Sequence, residues 1–292
     1  MKYALYTGCV AKGAGKELLI AVKLVAKKLG ITLHEMTDAA CCGAGVISED
    51  NPMVADILNA RTFALAEKLS LPIMNICATC QGVHSKALLK FKEDKEYLNK
   101  VNDQLEKSSN IRFSGNLEVH NFYYLLLHDF GLEKLKKLVT NPLKGLKVAP
   151  FYGCYTLRPH ESSDVERPDN PDELEKIIRA LGGEPVEYEE RLKCCGFPIV
   201  MMNKLNALKL GANAVEGAKS NGADILVTPC PLCQLSLDAY QPDHESLRGK
   251  KFKLPILHLP QLVALALGVS RQELKLSTHI VRPNEAVMMV GN

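Results

Sequence analysis

Ten cysteines fall into two sets of five that keep almost the same register, and few folds can accommodate such an arrangement. The first set is Cys9, Cys41, Cys42, Cys77 and Cys80; the second is Cys154, Cys194, Cys195, Cys230 and Cys233. From the second member of each adjacent pair to the next cysteine is 35 positions in both sets (42 to 77, 195 to 230), and both sets close as C-x-x-C. Only the first interval differs, 32 positions against 40. Neighbouring side chains diverge on any regular strand or helix, so two adjacent thiols serve one centre only on an irregular backbone. Gly43 and Gly196, which follow the pairs, supply that freedom.

The text around the cysteines repeats as well. YTGC (6–9) echoes FYGC (151–154), ICATCQ (76–81) echoes PCPLCQ (229–234), and EVHNFYYLLLHDFGLEKL (118–135) echoes ILHLPQLVALALGVSRQEL (256–274). The chain therefore reads as two homologous units, 1–145 and 146–292, joined near Pro142 to Lys147. The extra length of the second unit falls in a polar, proline-bearing loop over 158–173. Within the first unit, strand-like runs at 3–7, 32–36, 72–76 and 117–121 alternate with helical periodicity over 16–30 and 51–70. The second unit offers KVAPF, PVEYE, DILVT and LPILHL in the same roles. Strand and helix in alternation predict an α/β fold, two tandem units with parallel strand–helix organisation and a pseudo-twofold relation. A charged amphipathic stretch over 90–107 predicts one further helix, facing solvent or a docking partner.

A chain of 292 residues, 47% hydrophobic, can bury a full core. The net charge of +3 is mild, and no basic block is interleaved with aromatics, which excludes nucleic acid as a partner. The longest apolar run, LVALALGV (262–269), falls far short of a membrane span. Cys9 comes too early for a signal peptide's apolar region. The expected location is cytoplasmic, with any membrane association supplied by partners. In that reducing compartment the cysteines are read as ligands or redox groups rather than disulfides.

Five thiols exceed the four that a structural zinc site or a cubane iron–sulfur cluster takes. A thioredoxin-like centre would use CATC (77–80) and leave Cys9, Cys41 and Cys42 without a role. Core packing has no need of a fixed five-thiol register, and soft thiolates favour iron–sulfur chemistry over hard metals. A noncatalytic zinc module stays open as a weaker reading. GCVAKGAGK (8–16) has the look of a phosphate loop but lacks a lysine followed by Ser or Thr at the required place. Gly8, Gly13 and Gly15 are read instead as letting the backbone wrap a metal group.

The pattern C-x31-C-C-G-x33-C-x-x-C over 9–80, repeated as C-x39-C-C-G-x33-C-x-x-C over 154–233, resembles the CCG-domain family. Along nearly its whole length the chain is similar to the group within it formed by the B-type subunits of heterodisulfide reductase. The resemblance implies a noncubane 4Fe-4S cluster on each five-cysteine set and a disulfide or thiol substrate between the two clusters, cleaved or formed in paired one-electron steps. It also implies two partners in the same complex, the ferredoxin-like iron–sulfur protein (C-type) and the flavoprotein (A-type). The alternative within the family is a CCG electron-transfer subunit of a lactate, glycolate, glycerol-3-phosphate or succinate oxidoreductase.

Lys12 and Arg158, shortly after the first cysteine of each set, are candidate contacts for an anionic substrate. Lys193, beside Cys194, is ambiguous between that role and solvated surface. Phe197 and Pro198 stand where the family would carry a glycine-rich turn, which makes Phe197 a candidate wall of the substrate cleft. His120 and His258, at matching strand ends, are read as hydrogen-bonding groups beside the site rather than ligands.

Overall fold

The first unit forms one sheet from β1 (Lys2–Tyr6), β2 (Thr32–Glu35), β3 (Ile73–Asn75) and β4 (Val119–Asn121) in the order β2-β1-β3-β4. The second repeats it with β5 (Lys147–Pro150), β6 (Glu184–Pro185), β7 (Ile225–Thr228) and β8 (Ile256–His258) in the order β6-β5-β7-β8. Every pairing is parallel, with Ala4 opposite Ile73 in one sheet and Val148 opposite Ile225 in the other. This computed structural model describes residues 1–158, 160–163, 165–283 and 287. Pro159 and Asp164 of the polar loop, and 284–292 apart from Val287, lie outside them.

Local chemistry sets the helices. Lys16–Leu29 buries the stripe Leu18, Ala21, Val22, Val25, Ala26 and Leu29 and stops at Gly30, whose φ of 67° is left-handed. Pro52–Leu69 begins at Asn51, whose side chain accepts the Val54 N–H at 3.2 Å, with proline at the first helical position. The expected single helix over 90–107 is divided. One helix ends at Glu93 and the next begins at Lys95, because Asp94 adopts an extended conformation and its carboxylate caps the Tyr97 N–H at 2.8 Å. The second of these helices buries Leu98, Val101 and Leu105 rather than lying wholly in solvent.

Alternate residues of the strands enter two cores, one on each face of the sheets. Tyr3 and Leu5 of β1 join Val148, Ile225 and Val227 in the first core. Ala4 and Tyr6 join Ala149, Phe151 and Leu226 in the second. Each core is thus fed by both units. In the first, the helix Lys16–Leu29 meets Leu259–Ala266; in the second, Phe63, Phe91 and Phe113 share the core with Val215 and Phe252. The junction is itself packed: Leu143 and Leu146 are buried, and the Thr140 and Asn141 N–H groups donate to the Ala266 carbonyl at 3.1 and 3.0 Å.

The long loop of the second unit is also held. Arg191, three residues before Cys194, donates to the Pro171 carbonyl at 3.0 Å and to the nearly buried Glu175 carboxylate at 2.9 Å.

Because both cores cross the junction, thermal or denaturant unfolding should occur as one cooperative transition. Leu262→Ala, at a site without exposed surface, should lower stability by about 2–5 kcal/mol and move that whole transition. Two separated transitions by calorimetry would contradict the shared cores.

Candidate metal centres

In each sheet the chain leaves the first strand toward one side and the third toward the other, so β1/β3 and β5/β7 flank topological switch points, where side chains at the carboxyl ends converge. Cys9 and Cys77 follow β1 and β3; Cys154 and Cys230 follow β5 and β7. The two C-x-x-C segments open the helices Ala78–Glu93 and Pro231–Asp238. These helix starts meet across the units, with the Ala78 N–H donating to the Pro229 carbonyl at 3.3 Å.

Glycine permits the close approach. Gly8 and Gly153, immediately before Cys9 and Cys154, have φ of 69° and 74°. A Cβ on Gly8 would stand 3.2 Å from Cys80 Sγ, and one on Gly153 would stand 2.8 Å from Cys233 Sγ. After the adjacent pairs, Gly43 and Gly196 have φ of 78° and 83°. Their N–H groups turn back to donate to Cys41 Sγ at 3.5 Å and Cys194 Sγ at 3.4 Å. The carbonyl of the second cysteine is tied down in both units, Cys42 by Asn59 at 3.2 Å and Cys195 by Ser236 at 2.7 Å.

The ten thiols form one file. In the first unit the thiols that perturb one another run in the order Cys9, Cys41, Cys42, Cys80, Cys77, and the Cys42 and Cys80 sulfurs are 3.5 Å apart. Cys77 and Cys230 perturb each other across the units, and the order then reverses as Cys230, Cys233, Cys195, Cys194, Cys154. All ten are free. Donation by Cys42 and Cys9 pulls the Cys41 thiol down to about 2, and donation by Cys154 and Cys195 does the same to Cys194. Cys230 is also held well below the ordinary thiol range, by donation from Cys233, then Cys77, with a further contribution from Thr79.

Among the described residues no three His, Cys, Asp or Glu side chains converge as ligands of a single metal ion. An extended row of five soft donors instead fits a polynuclear iron–sulfur group, in which successive thiolates reach different irons. The first set lines a cavity of about 200 Å³ whose far wall comes from the second unit, through Phe197, Pro231 and Leu232. Among the described residues no Asp, Glu, Lys or Arg lines it. Four of the second set, Cys154, Cys195, Cys230 and Cys233, line a void of only about 10 Å³, bordered by Tyr155 and Pro198, so seating a comparable group there requires that void to open. A larger depression of about 590 Å³ lies at the opposite, amino-terminal ends of β3 and β4, near Glu67 and Glu118, and holds no cysteine.

Residues 3–83 and 148–238 each match the model of the CCG family, the cysteine-rich domain. The chain belongs to the CCG family. This CCG protein is 38% identical over 280 residues to the 8-methylmenaquinol:fumarate reductase membrane anchor subunit of Wolinella succinogenes, covering 96% of this chain and 97% of that one. It is 30% identical over 296 residues to a protein of Archaeoglobus profundus named as like the B-type subunit of heterodisulfide reductase (99% and 97% covered). It is 28% identical to the B-type subunit of the ferredoxin/F(420)H(2)-dependent CoB-CoM heterodisulfide reductase of Methanosarcina acetivorans (96% and 94%). A crystal structure of a hypothetical protein from Helicobacter pylori shares the fold at a TM-score of 0.76 and 17% identity; this chain covers about half of it, 52%.

The remaining candidate residues of the CCG protein are dispersed. Phe197 lines the first cavity. Lys12 is exposed, lines an adjoining crevice beside Cys9 and Cys41, and donates to the Thr37 carbonyl at 3.2 Å. Arg158 is exposed on the Cys194 side, and Lys193 pairs with Glu189 at 3.4 Å. His120 stacks on Tyr124 at 4.0 Å, and His258 Nε2 lies 3.3 Å from Glu17 Oε1, bridging the units.

Sequence reasoning passed over Gln81 and Gln234, although the shared C-x-x-C-Q was visible. Each reaches the strand beyond, at the Val119 carbonyl (3.0 Å) and the Ile256 carbonyl (3.4 Å). It also passed over Thr79, inside the first C-x-x-C, and the buried His84, one helical turn past Cys80, whose ring edges against Tyr6.

Gly153→Ala tests the glycine requirement. Its φ and ψ of 74° and 171° suit glycine almost exclusively, costing another residue of order 1–3 kcal/mol, and the new methyl would press on Cys233 Sγ. The variant should lose metal from the second set and keep the first. Retention of full metal content would contradict the close-approach argument.

Proposed function

We propose that this CCG protein is the electron-carrying iron–sulfur subunit of a membrane-associated oxidoreductase complex, with one noncubane 4Fe-4S cluster on each five-cysteine set. The observation that carries the reading is the convergence of both five-cysteine sets on the carboxyl ends of the two sheets, where the C-x-x-C helix starts meet through the Ala78 N–H and the Pro229 carbonyl and Thr79 of the first unit reaches Cys230 Sγ of the second at 3.3 Å. Such clusters, when bound, accept and donate single electrons at potentials set by their surroundings. The chain's own residues hold the geometry. Four left-handed glycines bring the thiols together, Asn59 and Ser236 fix the adjacent pairs, and the second unit walls the first cavity.

Of the two readings within the family, the uncharged walls Val10, Ala44, Phe197 and Leu232 favour electron exchange with an apolar redox ring. A quinol docked against the open rim of that cavity, outside the space the cluster would fill, would give up two electrons and release two protons to solvent, with the electrons leaving one at a time to a dehydrogenase partner of the succinate or fumarate type. The 38% identical relative, whose name couples a methylmenaquinol to fumarate reduction, supports the same reading. Among the described residues no helix is long and apolar enough to cross a membrane, so attachment at the cytoplasmic face would rest on partners or surface contacts.

Disulfide cleavage is the second reading, favoured by the placement of one cation near each set, Lys12 beside Cys9 and Arg158 near Cys194. Two such cations would meet the anionic arms of a mixed disulfide outside the uncharged cavity. The ferredoxin-like iron–sulfur protein and the flavoprotein of such a complex would then be the partners.

Anaerobically purified protein should contain about eight irons and eight acid-labile sulfides per chain, four of each per set. One or two zinc ions without sulfide would remove the reading. Cys41→Ser and Cys194→Ser should each lower iron by about half, since each set is complete within its own unit. Rapid mixing of the reduced protein with a soluble naphthoquinone should reoxidise it at least tenfold faster than an anionic disulfide does. Faster oxidation by the disulfide, lost in Lys12→Ala and Arg158→Ala, would instead establish the second reading.

A further inference from the structure

The two metal sites share a wall, and that wall is not symmetric. Thr79 and Leu232 occupy matching places, each two residues after the first cysteine of its C-x-x-C, and both line the first cavity and the void of the second set. Thr79 is buried and belongs to the first unit, yet its hydroxyl lies 3.3 Å from Cys230 Sγ in the second. Leu232 has no group to return that contact to Cys77. The backbone shows the same one-sidedness: the Ala78 N–H donates to the Pro229 carbonyl at 3.3 Å, whereas the residue matching Ala78 is Pro231, which has no N–H.

We propose that Thr79 is a positioning residue that makes the two clusters unequal: its hydroxyl donates across the unit boundary to the Cys230 thiolate and raises the reduction potential of the second cluster above that of the first. The inference rests on the cluster reading above. A thiol hydrogen is absent once Cys230 is a metal ligand, so the hydroxyl must be the donor in the loaded protein. Reduction adds negative charge to a cluster, and a hydrogen bond to a ligating sulfur stabilises that charge. Cys77 receives no such bond from Leu232, so two sites with the same thiol register differ in potential. An electron arriving at the more open first set, where Cys9 and Cys41 are exposed, then has a downhill step to the more enclosed second one.

The test is a potentiometric titration followed by electron paramagnetic resonance, on wild type, Thr79→Val and Thr79→Ser, with the second cluster identified as the signal that persists in Cys41→Ser. Thr79→Val keeps the side-chain volume and removes the donor. It should reduce the equilibrium constant for reducing the second cluster about tenfold, a shift of about 59 mV for one electron, and leave the first in place. Thr79→Ser should restore the wild-type potential. Equal shifts in both variants, equal shifts of both clusters, or no shift in a fully loaded Thr79→Val protein would each overturn the inference while leaving the clusters standing. Wild-type protein without an iron–sulfur signal would overturn the proposed function and this inference together.

Discussion

The abutment of the two C-x-x-C helix starts is the contact on which the rest depends. Each helix begins at a switch point, where a parallel sheet directs its strand ends to one place. Bringing two such places together sets Thr79 against Cys230 and lets the Ala78 N–H reach the Pro229 carbonyl. From that contact the thiols of the two sets extend outward in mirrored order. Positive-φ glycines before the first cysteine and after the adjacent pair are the local condition for this, since a side chain at Gly153 would occupy the space next to Cys233 Sγ. At Gly196 a Cβ would fall 2.4 Å from the Ala207 carbonyl oxygen, a backbone atom that cannot step aside.

The sheets were largely readable from the chain because fully buried parallel strands are short apolar runs with punctuation on either side. DILVT appears as β7, and KVAPF as β5. Of PVEYE only Pro185 enters β6 (Glu184–Pro185), although the Val186 N–H still donates to the Val148 carbonyl of β5 at 2.9 Å and the Tyr188 hydroxyl to the Pro150 carbonyl at 2.9 Å. The division at Asp94 escaped notice since periodicity alone does not register a single residue that caps the helix after it. Register also revealed the cysteine sets, but not the partition between them. Thr79 sits in a repeat whose two copies read CATC and CPLC, and the mismatch carried the signal. Its meaning required knowing that position 79 faces a cysteine 151 residues away.

Similarity of sequence between the units does not extend to their openness. Cys9 and Cys41 are exposed and border a cavity of about 200 Å³, whereas Cys154 and Cys194 are half-buried and Tyr155 stands beside a void of about 10 Å³. Gly82 of the opposite unit leaves room for Tyr155 there, since a Cβ at that position would be 2.9 Å from the ring. On the proposed reading, the more open half would meet a substrate or donor and the more enclosed half would hold charge away from water. That division of labour suits an electron carrier, and it follows from a handful of substitutions in an otherwise repeated frame.

Anomalous diffraction at the iron absorption edge, from crystals grown without oxygen, tests the central claim most directly. The account predicts two separate iron groups, one over Cys41 and Cys42 and one over Cys194 and Cys195, with the Thr79 and Leu232 wall between them. A single metal centre shared by Cys77 and Cys230, or anomalous signal at the zinc edge alone, would contradict it.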